Sequence, residues 1–195
     1  MIRIKYGNHK LGDDTVILNM GPARTCPSKA RDLCEVVKKG YRCYAEKAEI
    51  QYPRNVPQYR QAQELYWKIT PKEKIAHDIS KKIGARRKRT RFLRYNESGD
   101  FHCQQDIEKL SYVAKYLKRN HSITTYGYSA RNDLDFSSAE FLVKGSYNDN
   151  GNNGKCVVIS KDEEVPEGYF LCPADCRKCN KCKRHNYKNI AFRKH

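Results

Sequence analysis

Hydrophobic and polar positions in this chain follow two different periods. Thr15–Met20 is a short apolar run that Gly21-Pro22 ends, which predicts a buried strand. Residues 54–83 and 104–117 instead place apolar side chains three and four positions apart, which predicts helices. Further strands are predicted at 91–95, 123–128, 141–146 and 156–159. Because strand, helix and strand follow one another, the pattern predicts an α/β protein with βαβ units and a parallel sheet.

A dense group of cysteines lies near the end of the chain. Cys172, Cys176, Cys179 and Cys182 have the spacing C-x3-C-x2-C-x2-C. Such short gaps let a looping backbone direct successive thiolates at one centre, as an iron–sulfur cluster or a tetrahedral zinc ion requires. Two other arrangements stay open: some of the four bind metal while the rest are only reactive, or all four form disulfides or small buried thiols. We expect metal or cluster binding.

A second group of cysteines follows the first predicted strand. Cys26, Cys34 and Cys43 are separated by seven and eight residues, too far apart to form a metal signature by spacing alone. Their position favours a ligand role, because ligand-binding loops of α/β folds follow the carboxyl ends of strands. The alternative is that they are core thiols.

The chain is strongly basic. Its 39 Lys and Arg against 22 Asp and Glu give a formal net charge of +17, which favours a polyanionic partner, with nucleic acid as the default. The densest basic run is Arg86-Arg87-Lys88-Arg89, a candidate contact for phosphates. The alternatives are an acidic protein or charged small molecule as partner, or a solvated basic surface and an ordinary helix-to-strand connection.

The cellular compartment affects how the cysteines are interpreted. Residues 1–11 have no apolar stretch, so no signal peptide is predicted, and no window reaches the length of a membrane span. We therefore expect a cytoplasmic protein without membrane partners, in a compartment where disulfides are rare. The nine cysteines are also an odd number. Both observations favour metal binding over disulfides.

Polar side chains gather just past the predicted strand ends. In a parallel sheet such residues share one cleft. Within it Glu97, Ser98 and Asp100 form the candidate cofactor-binding group, since the two carboxylates can bind a cation, accept from an amine or act in acid–base chemistry. The alternative is turn chemistry, for which these residue types are also common. The other members of the cleft are expected to be Ser129, Arg131, Lys144 and Ser146.

The domain organisation is predicted to be simple. Residues 1–170 form an α/β domain that includes the N-terminal cysteine loop, and residues 171–195 form a cysteine-rich, basic tail. Beyond Cys182 the tail carries Tyr187 and Phe192 among basic residues, a pattern used in binding single-stranded nucleic acid. The alternative for this stretch is a frayed terminus.

Several of these features together resemble a family of small bacteriophage proteins called after phage gene product eighty-eight. The likeness covers most of the chain, and the cysteine spacing with Cys43-Tyr44-Ala45 is its most specific part. The residues that carry it are Val16–Met20, Cys26-Pro27-Ser28, Cys34, Cys43-Tyr44-Ala45, Lys47-Ala48-Glu49, Tyr52-Pro53, Tyr59-Arg60, Asn96–Asp100 and the C-terminal cysteines. The resemblance implies a phage protein that works in the cytoplasm of the infected host, where a host protein is a further partner to consider.

The chain is also distantly similar to the scaffold of radical S-adenosylmethionine enzymes. Those enzymes place three cysteines after the first strand of a partial TIM-like barrel, although with shorter gaps than here. The resemblance implies one or two [4Fe-4S] clusters and S-adenosylmethionine as cofactors. It also implies that Glu97, Ser98 and Asp100 lie where such enzymes bind the amino group of that cofactor.

The expected function is therefore that of a phage iron–sulfur protein that binds or acts on nucleic acid during infection. The alternative is a zinc-stabilised, non-enzymatic protein that binds nucleic acid or a host protein. The C-x2-C-x2-C run and the resemblance favour iron–sulfur. Whether the N-terminal and C-terminal cysteines hold two centres or share one is left open, as are the catalytic residues, if the protein is an enzyme.

Overall fold

A computed structural model describes residues 2–8, 10–184 and 189–194. In these residues eight strands form one sheet, in the order β1-β2-β3-β4-β5-β6-β8-β7. The strand β1 is antiparallel to β2, and the other neighbouring pairs are parallel. The strands are β1 (Lys5–Tyr6), β2 (Thr15–Leu18), β3 (Phe92–Tyr95), β4 (Thr124–Ser129), β5 (Leu142–Ser146), β6 (Lys155–Ile159), β7 (Phe170–Leu171) and β8 (Ile190–Arg193).

Six α-helices are described, and most of them lie between β2 and β3. They are α1 (Pro27–Ala30), α2 (Glu35–Lys38), α3 (Tyr44–Gln51), α4 (Val56–Ile69), α5 (Lys72–Gly84) and α6 (Gln104–His121). The apolar faces of α5 and α6 pack against β2, β3 and β5 in the main hydrophobic core. None of the helices in the described ranges is long and apolar enough to cross a membrane.

Side chains along each strand alternate between the two faces of the sheet. In β3, Leu93 and Tyr95 join the helix-covered core, whereas Phe92 packs in a second cluster with Tyr126 and Leu142. Successive strand side chains point to opposite faces, and the register aligns like faces across the sheet. We call the face opposite α5 and α6 the inner face. From β2 to β5 it carries Thr15, Phe92, Arg94, Tyr126, Tyr128, Leu142 and Lys144.

The predicted α/β class and parallel sheet are confirmed. The strand–helix–strand unit is β3-α6-β4, and the sheet is not closed into a barrel. The connection from β5 to β6 has no helix. Two bonds stabilise this turn: the Asn152 side-chain oxygen accepts from the Val143 amide at 2.9 Å, and Lys144 Nζ donates to the backbone carbonyl of Asn153 at 2.7 Å.

The predicted C-terminal tail is also part of the sheet, since its last described residues form β8 between β6 and β7. Phe192 lies in this strand, and its ring is 5.6 Å from that of Tyr128. The other aromatic residue noted there, Tyr187, lies outside the described residues.

Candidate functional site

The three N-terminal cysteines each precede a helix. Cys26, Cys34 and Cys43 occupy the positions directly before α1, α2 and α3, and all three are half-buried. This segment begins after the carboxyl end of β2, where the sequence placed it. The repeated position before a helix is a signal that sequence reasoning did not use.

The strand-end residue Ser98 anchors the beginning of this segment. Its hydroxyl donates to the Gly21 carbonyl at 2.8 Å, and its amide donates to Asn19 Oδ1 at 3.0 Å. Gly99 has φ +80°, and a Cβ at this position would lie 2.6 Å from the Gly21 amide nitrogen. The two backbones therefore approach closely where only glycine fits.

Asp100 is buried and is surrounded by donors. Its carboxylate accepts from the Ser28 hydroxyl at 2.6 Å and the Ser129 hydroxyl at 2.8 Å. The Asn96 amide group and the backbone amides of Phe101 and Ala130 also donate to it. Burial raises the pKa of Asp100, and the surrounding donors oppose that rise. These bonds join the cysteine segment to the carboxyl ends of β3 and β4.

A buried ion pair supports the other side of the segment. Arg60 Nη1 contacts Glu49 Oε1 at 2.7 Å and donates to the Ala45 carbonyl at 2.8 Å. Glu49 Oε1 also accepts from the Ala23 amide at 2.7 Å. Since Ala23 and Ala45 flank the segment, the pair of Arg60 from α4 and Glu49 from α3 holds both of its ends.

The charges of the N-terminal thiols interact with one another. Burial raises the pKa of Cys26 to about 12, and Asp100 and Cys43 raise it further. Burial also raises the pKa of Cys34, to which Cys43 and Asp100 again contribute. Ser28, two residues after Cys26, is bonded to Asp100, so this part of the cysteine segment lies at the carboxyl end of the sheet.

Glu97 differs from the two other residues of the predicted cofactor-binding group. Its Oε1 accepts from Asn8 Nδ2 at 3.0 Å, and its Oε2 is 3.8 Å from Lys5 Nζ. Ser98 and Asp100 instead bond within the strand-end loops, as described above. The structure thus groups the three at one strand end, but two of them hold the cysteine segment in place.

The C-terminal cysteines cross the inner face. The Cys172 amide donates to the Ala191 carbonyl of β8 at 2.8 Å, and the Cys176 amide donates to the Lys10 carbonyl at 2.9 Å. Lys10 lies in the turn before β2, so the segment connects opposite sides of the sheet. The chain then forms a 3-10 helix, Lys181–Lys183.

Cys182 and Lys183 dock this 3-10 helix onto the amino-terminal half of the inner face. Cys182 packs against the cluster that contains Phe92 and Tyr126. The buried Lys183 ammonium donates to Thr15 Oγ1 at 3.2 Å and lies 4.1 Å from the centre of the Phe92 ring. Burial lowers the pKa of Lys183, and the nearby charges of Asp14, Cys176 and Cys182 oppose that shift.

The four C-terminal thiols are neighbours of one another. Burial raises the pKa of Cys172 to about 11, and Cys182, Cys176 and Cys179 raise it further. Burial raises the pKa of Cys182 as well, although a hydrogen bond from the Tyr128 hydroxyl and the charge of Lys144 counteract it. Since thiolates repel one another, a bound cation would favour the ionised form of these thiols.

Positive groups lie beneath these thiols. Arg94, Lys144 and Lys183 all belong to or contact the inner face, and Lys144 is only 1% exposed. Among the described residues, the buried Nε of Arg94 has no hydrogen-bond partner. Burial lowers the pKa of Lys144, and the charges of Cys182 and Cys156 partly offset this effect. Such cations can balance the negative charge of a thiolate-bound centre.

Sequence reasoning left Cys156 outside both groups. It lies in β6 and is buried. Burial raises the pKa of Cys156 to about 12, and Cys182 raises it further. Only the tertiary structure brings it beside the tail, because its sequence neighbours give no metal-ligand spacing. The ninth cysteine, Cys103, is exposed and precedes α6.

The donor chemistry fits a thiolate-bound centre, but the side-chain positions do not yet form one. Within the described residues, no group of three or more His, Cys, Asp or Glu side chains converges as one metal ion would require. Metal binding therefore requires the thiols of a group to move together.

The basic run Arg86–Arg89 lies between α5 and β3, at the amino end of the sheet. Arg87, Lys88 and Arg89 are exposed. Lys88 pairs with Asp13, and the Arg86 guanidinium lies 4.3 Å from the centre of the Tyr6 ring. The run thus lies beside Tyr6 of β1 and the turn that precedes β2.

Comparisons of the chain with protein-family models, curated proteins and solved structures found no match.

Proposed function

We propose that the C-terminal cysteines bind one thiolate-ligated metal centre, and that this centre is an iron–sulfur cluster. The observation that carries the proposal is the docking of the four-cysteine segment onto the inner face, where Lys144 and Lys183 are buried. Cys182 receives a hydrogen bond from Tyr128 and lies near Lys144 and Arg94. Hydrogen bonds to cysteine sulfur and nearby positive charge are the means by which proteins tune such clusters.

The ligands of this centre would be Cys172, Cys176, Cys179 and Cys182. When bound, a cluster of this type supplies electron transfer or a redox-sensitive structural link. The chain's own contribution is to hold the segment by the Cys172 and Cys176 amides and to exclude water with the aromatic cluster of the inner face. We further propose that the open sheet is an incomplete TIM-like barrel, because β2 to β6 follow chain order, as barrel strands do.

Metal analysis of the anaerobically purified protein tests this proposal. One [4Fe-4S] cluster gives about four iron and four sulfide per chain and broad visible absorption. Replacing the four C-terminal cysteines by serine should remove about four iron and four sulfide per chain, whereas the control Cys103→Ser should retain them. A colourless protein with neither iron nor zinc after reconstitution would contradict the proposal.

Zinc is the second candidate, because four thiolates also satisfy a structural zinc site. A colourless wild-type protein with one zinc per chain would favour it. The protein would then be a non-enzymatic one, in which the metal stabilises a segment that is poor in apolar residues.

The N-terminal cysteines support a second centre. Cys26, Cys34 and Cys43 lie at the carboxyl end of the sheet, the end at which α/β barrels carry their active sites. If they hold a cluster with an open iron, S-adenosylmethionine should alter the electron paramagnetic resonance of the reduced protein. The Cys26→Ser variant should lose that response, and an unchanged spectrum in the reconstituted wild type would remove the radical-enzyme interpretation.

Nucleic acid is the proposed partner, and the host cytoplasm during phage infection is the proposed location. The net charge of +17 supports the partner. Binding should weaken steeply with salt, since basic side chains release counterions from phosphates. Affinity that stays constant between low and moderate salt would contradict a nucleic-acid partner and leave a host protein as the alternative.

A further inference from the structure

Two basic segments that are far apart in sequence meet at the amino end of the sheet. Residues 86–91 carry five Lys or Arg and no acidic residue, and residues 177–184 carry five Lys or Arg and no acidic residue. The turn formed by residues 10–14, which precedes β2, contacts both segments. We call the two segments the loop rim (86–91) and the tail rim (177–184).

The loop rim is attached to one side of this turn. Arg86 Nη1 donates to the Asp13 carbonyl at 3.0 Å, and Lys88 pairs with the Asp13 carboxylate. The amide of Arg91 donates to the Asp14 carbonyl at 2.8 Å. These bonds hold the loop rim close to the turn. The side chains of Arg87 and Arg89, which lie between the bonded residues, are exposed to solvent.

The tail rim is attached to the other side. The Cys176 amide donates to the Lys10 carbonyl, and the Arg177 side chain lies against Gly12. A Cβ on Gly12 would come within 3.0 Å of Arg177 Cγ, so the glycine permits this close approach. Arg177 and Lys178 are exposed beside it.

A cleft of about 540 Å³ lies at this turn, and Arg177 of the tail rim lines it. Its lining is aromatic and polar, and includes Tyr6, Asp13, Asp14 and Arg177. Tyr6 is 43% exposed, although the Arg86 guanidinium stacks near its ring. The cleft thus combines an accessible aromatic ring with carboxylate acceptors. Arg177 of the tail rim lines it, and Arg86 of the loop rim contacts its Tyr6 ring.

We propose that this cleft binds single-stranded nucleic acid, with phosphates on the two rims and one unstacked base against Tyr6. Base stacking on aromatic side chains between positive charges is the usual means of holding single strands. A duplex keeps its bases stacked inside and cannot place one in the cleft. The inference rests on the proposed nucleic-acid partner.

The acidic floor of the cleft determines which bases it accepts. Asp13 and Asp14 repel phosphates, so the strand's backbone lies on the rims and its base points inward. Carboxylates accept hydrogen bonds from the amino groups of cytosine, adenine and guanine, whereas thymine has no amino group and can donate only its N3–H. The cleft should therefore prefer cytosine and adenine over thymine.

Fluorescence anisotropy with labelled oligonucleotides tests this proposal on the full-length protein. The probes are twelve-nucleotide dC, dA and dT strands and a mixed duplex of the same length. We expect tighter binding of dC and dA than of dT, and of single strands than of the duplex. Equal or tighter binding of the duplex would overturn the proposal.

Paired substitutions test the two rims. Arg87→Ala with Arg89→Ala, and separately Arg177→Ala with Lys178→Ala, should each lower the salt slope of log affinity by about 0.7 for each phosphate that the variant no longer neutralises. The control pair is Lys72→Ala with Lys161→Ala, which removes the same charge away from both rims. If the control lowers affinity and slope as much as the rim pairs, the binding is delocalised and the proposal fails.

Substitutions of Tyr6 distinguish the contribution of base stacking to binding from the contribution of charge. Tyr6→Ala should weaken single-strand binding about tenfold at constant salt slope, whereas Tyr6→Phe keeps the ring and should bind like the wild type. Circular dichroism confirms that each variant is folded. If wild-type protein binds no nucleic acid, the proposed partner is wrong. If it binds but Tyr6→Ala is neutral, only the assignment of the cleft is wrong.

Discussion

The ammonium of Lys183 donates to the hydroxyl of Thr15 at 3.2 Å, although 168 positions separate the two residues. Lys183 directly follows Cys182, the last cysteine of the C-terminal group, and Thr15 begins β2. This bond therefore joins the cysteine-rich segment to the first strand of the parallel sheet. It lies next to the Phe92 ring and is buried. The cysteine-rich segment is therefore a packed layer of the domain and not an appendage.

Lys183→Ala should detach this layer. The substitution removes a charged hydrogen bond and a cation–π contact, for an expected loss of about 1.5–3 kcal/mol in the free energy of unfolding. Limited proteolysis should then cut the chain after residue 171 sooner than in wild type. The control Lys178→Ala removes an exposed charge from the same segment. Equal protease resistance of Lys183→Ala and wild type would show that the bond does not dock the segment.

Tyr128→Phe should weaken metal binding without unfolding the protein. It removes the hydroxyl that donates to the Cys182 sulfur. Loss of such a partner typically costs 10–100-fold in metal affinity.

Tyr126 supplies a matched control for this experiment, because its buried hydroxyl has no hydrogen-bond partner among the residues that the structure describes. Metal release to a chelator is the measurement. Tyr126→Phe should release metal at the wild-type rate, and equal rates for both variants would argue against a role for the Tyr128 hydroxyl.

Asp100→Asn should destabilise the fold strongly. The amide group that replaces one carboxylate oxygen presents N–H groups to side chains and backbone amides that themselves donate. We expect a loss of about 3 kcal/mol or more, since buried donors lose their acceptor. Urea unfolding measures the change, with the exposed Asp162→Asn as control. A loss below about 1 kcal/mol would mean that Asp100 is not the link between the cysteine segment and the strand ends.

Acid should unfold the protein in part through Asp106. Burial acts to raise the pKa of Asp106, but hydrogen bonds from His102 and Trp67 outweigh it and lower the pKa below its usual 3.8. A carboxylate with a lowered pKa stabilises the fold above its unfolded pKa, and this contribution is lost as pH falls through the folded value.

Trp67, the only tryptophan, donates from Nε1 to Asp106 at 2.8 Å and reports this transition by its fluorescence. We expect the onset of the fluorescence change below about pH 4. Asp106→Asn should unfold with a weaker dependence on pH in that range. If the acid transition of this variant is the same as that of the wild type, carboxylates other than Asp106 cause the transition.

Much of the architecture could be predicted from local patterns. The apolar run at residues 15–20 became β2, and the helical stripe at residues 104–117 became most of α6. Periodicity predicts such elements because a strand or helix must bury one face wherever it packs. The place of the basic run between α5 and β3 was likewise predicted correctly, because Gly84 and the following alternation mark a helix end and a strand.

The sites depended on tertiary structure to a greater degree. Sequence spacing alone identified two cysteine groups, and their chemistry remains the prediction that experiment must test. Spacing does not reveal the position of Cys156, of Arg94, or of the buried cations Lys144 and Lys183, because contacts between distant segments leave no local pattern. Spacing also did not predict the hydrogen bonds by which Ser98 and Asp100 hold distant segments together.

What the sequence by itself determined is the α/β class, the position of most elements and the presence of thiols dense enough to bind metal. Only the tertiary structure decided that the C-terminal thiols lie over the inner face, and that the two basic rims, about ninety positions apart, meet at one turn. The physical reason is the distance along the chain over which each effect acts. Periodicity and turn chemistry act over a few residues, whereas docking depends on which distant surfaces exclude water together.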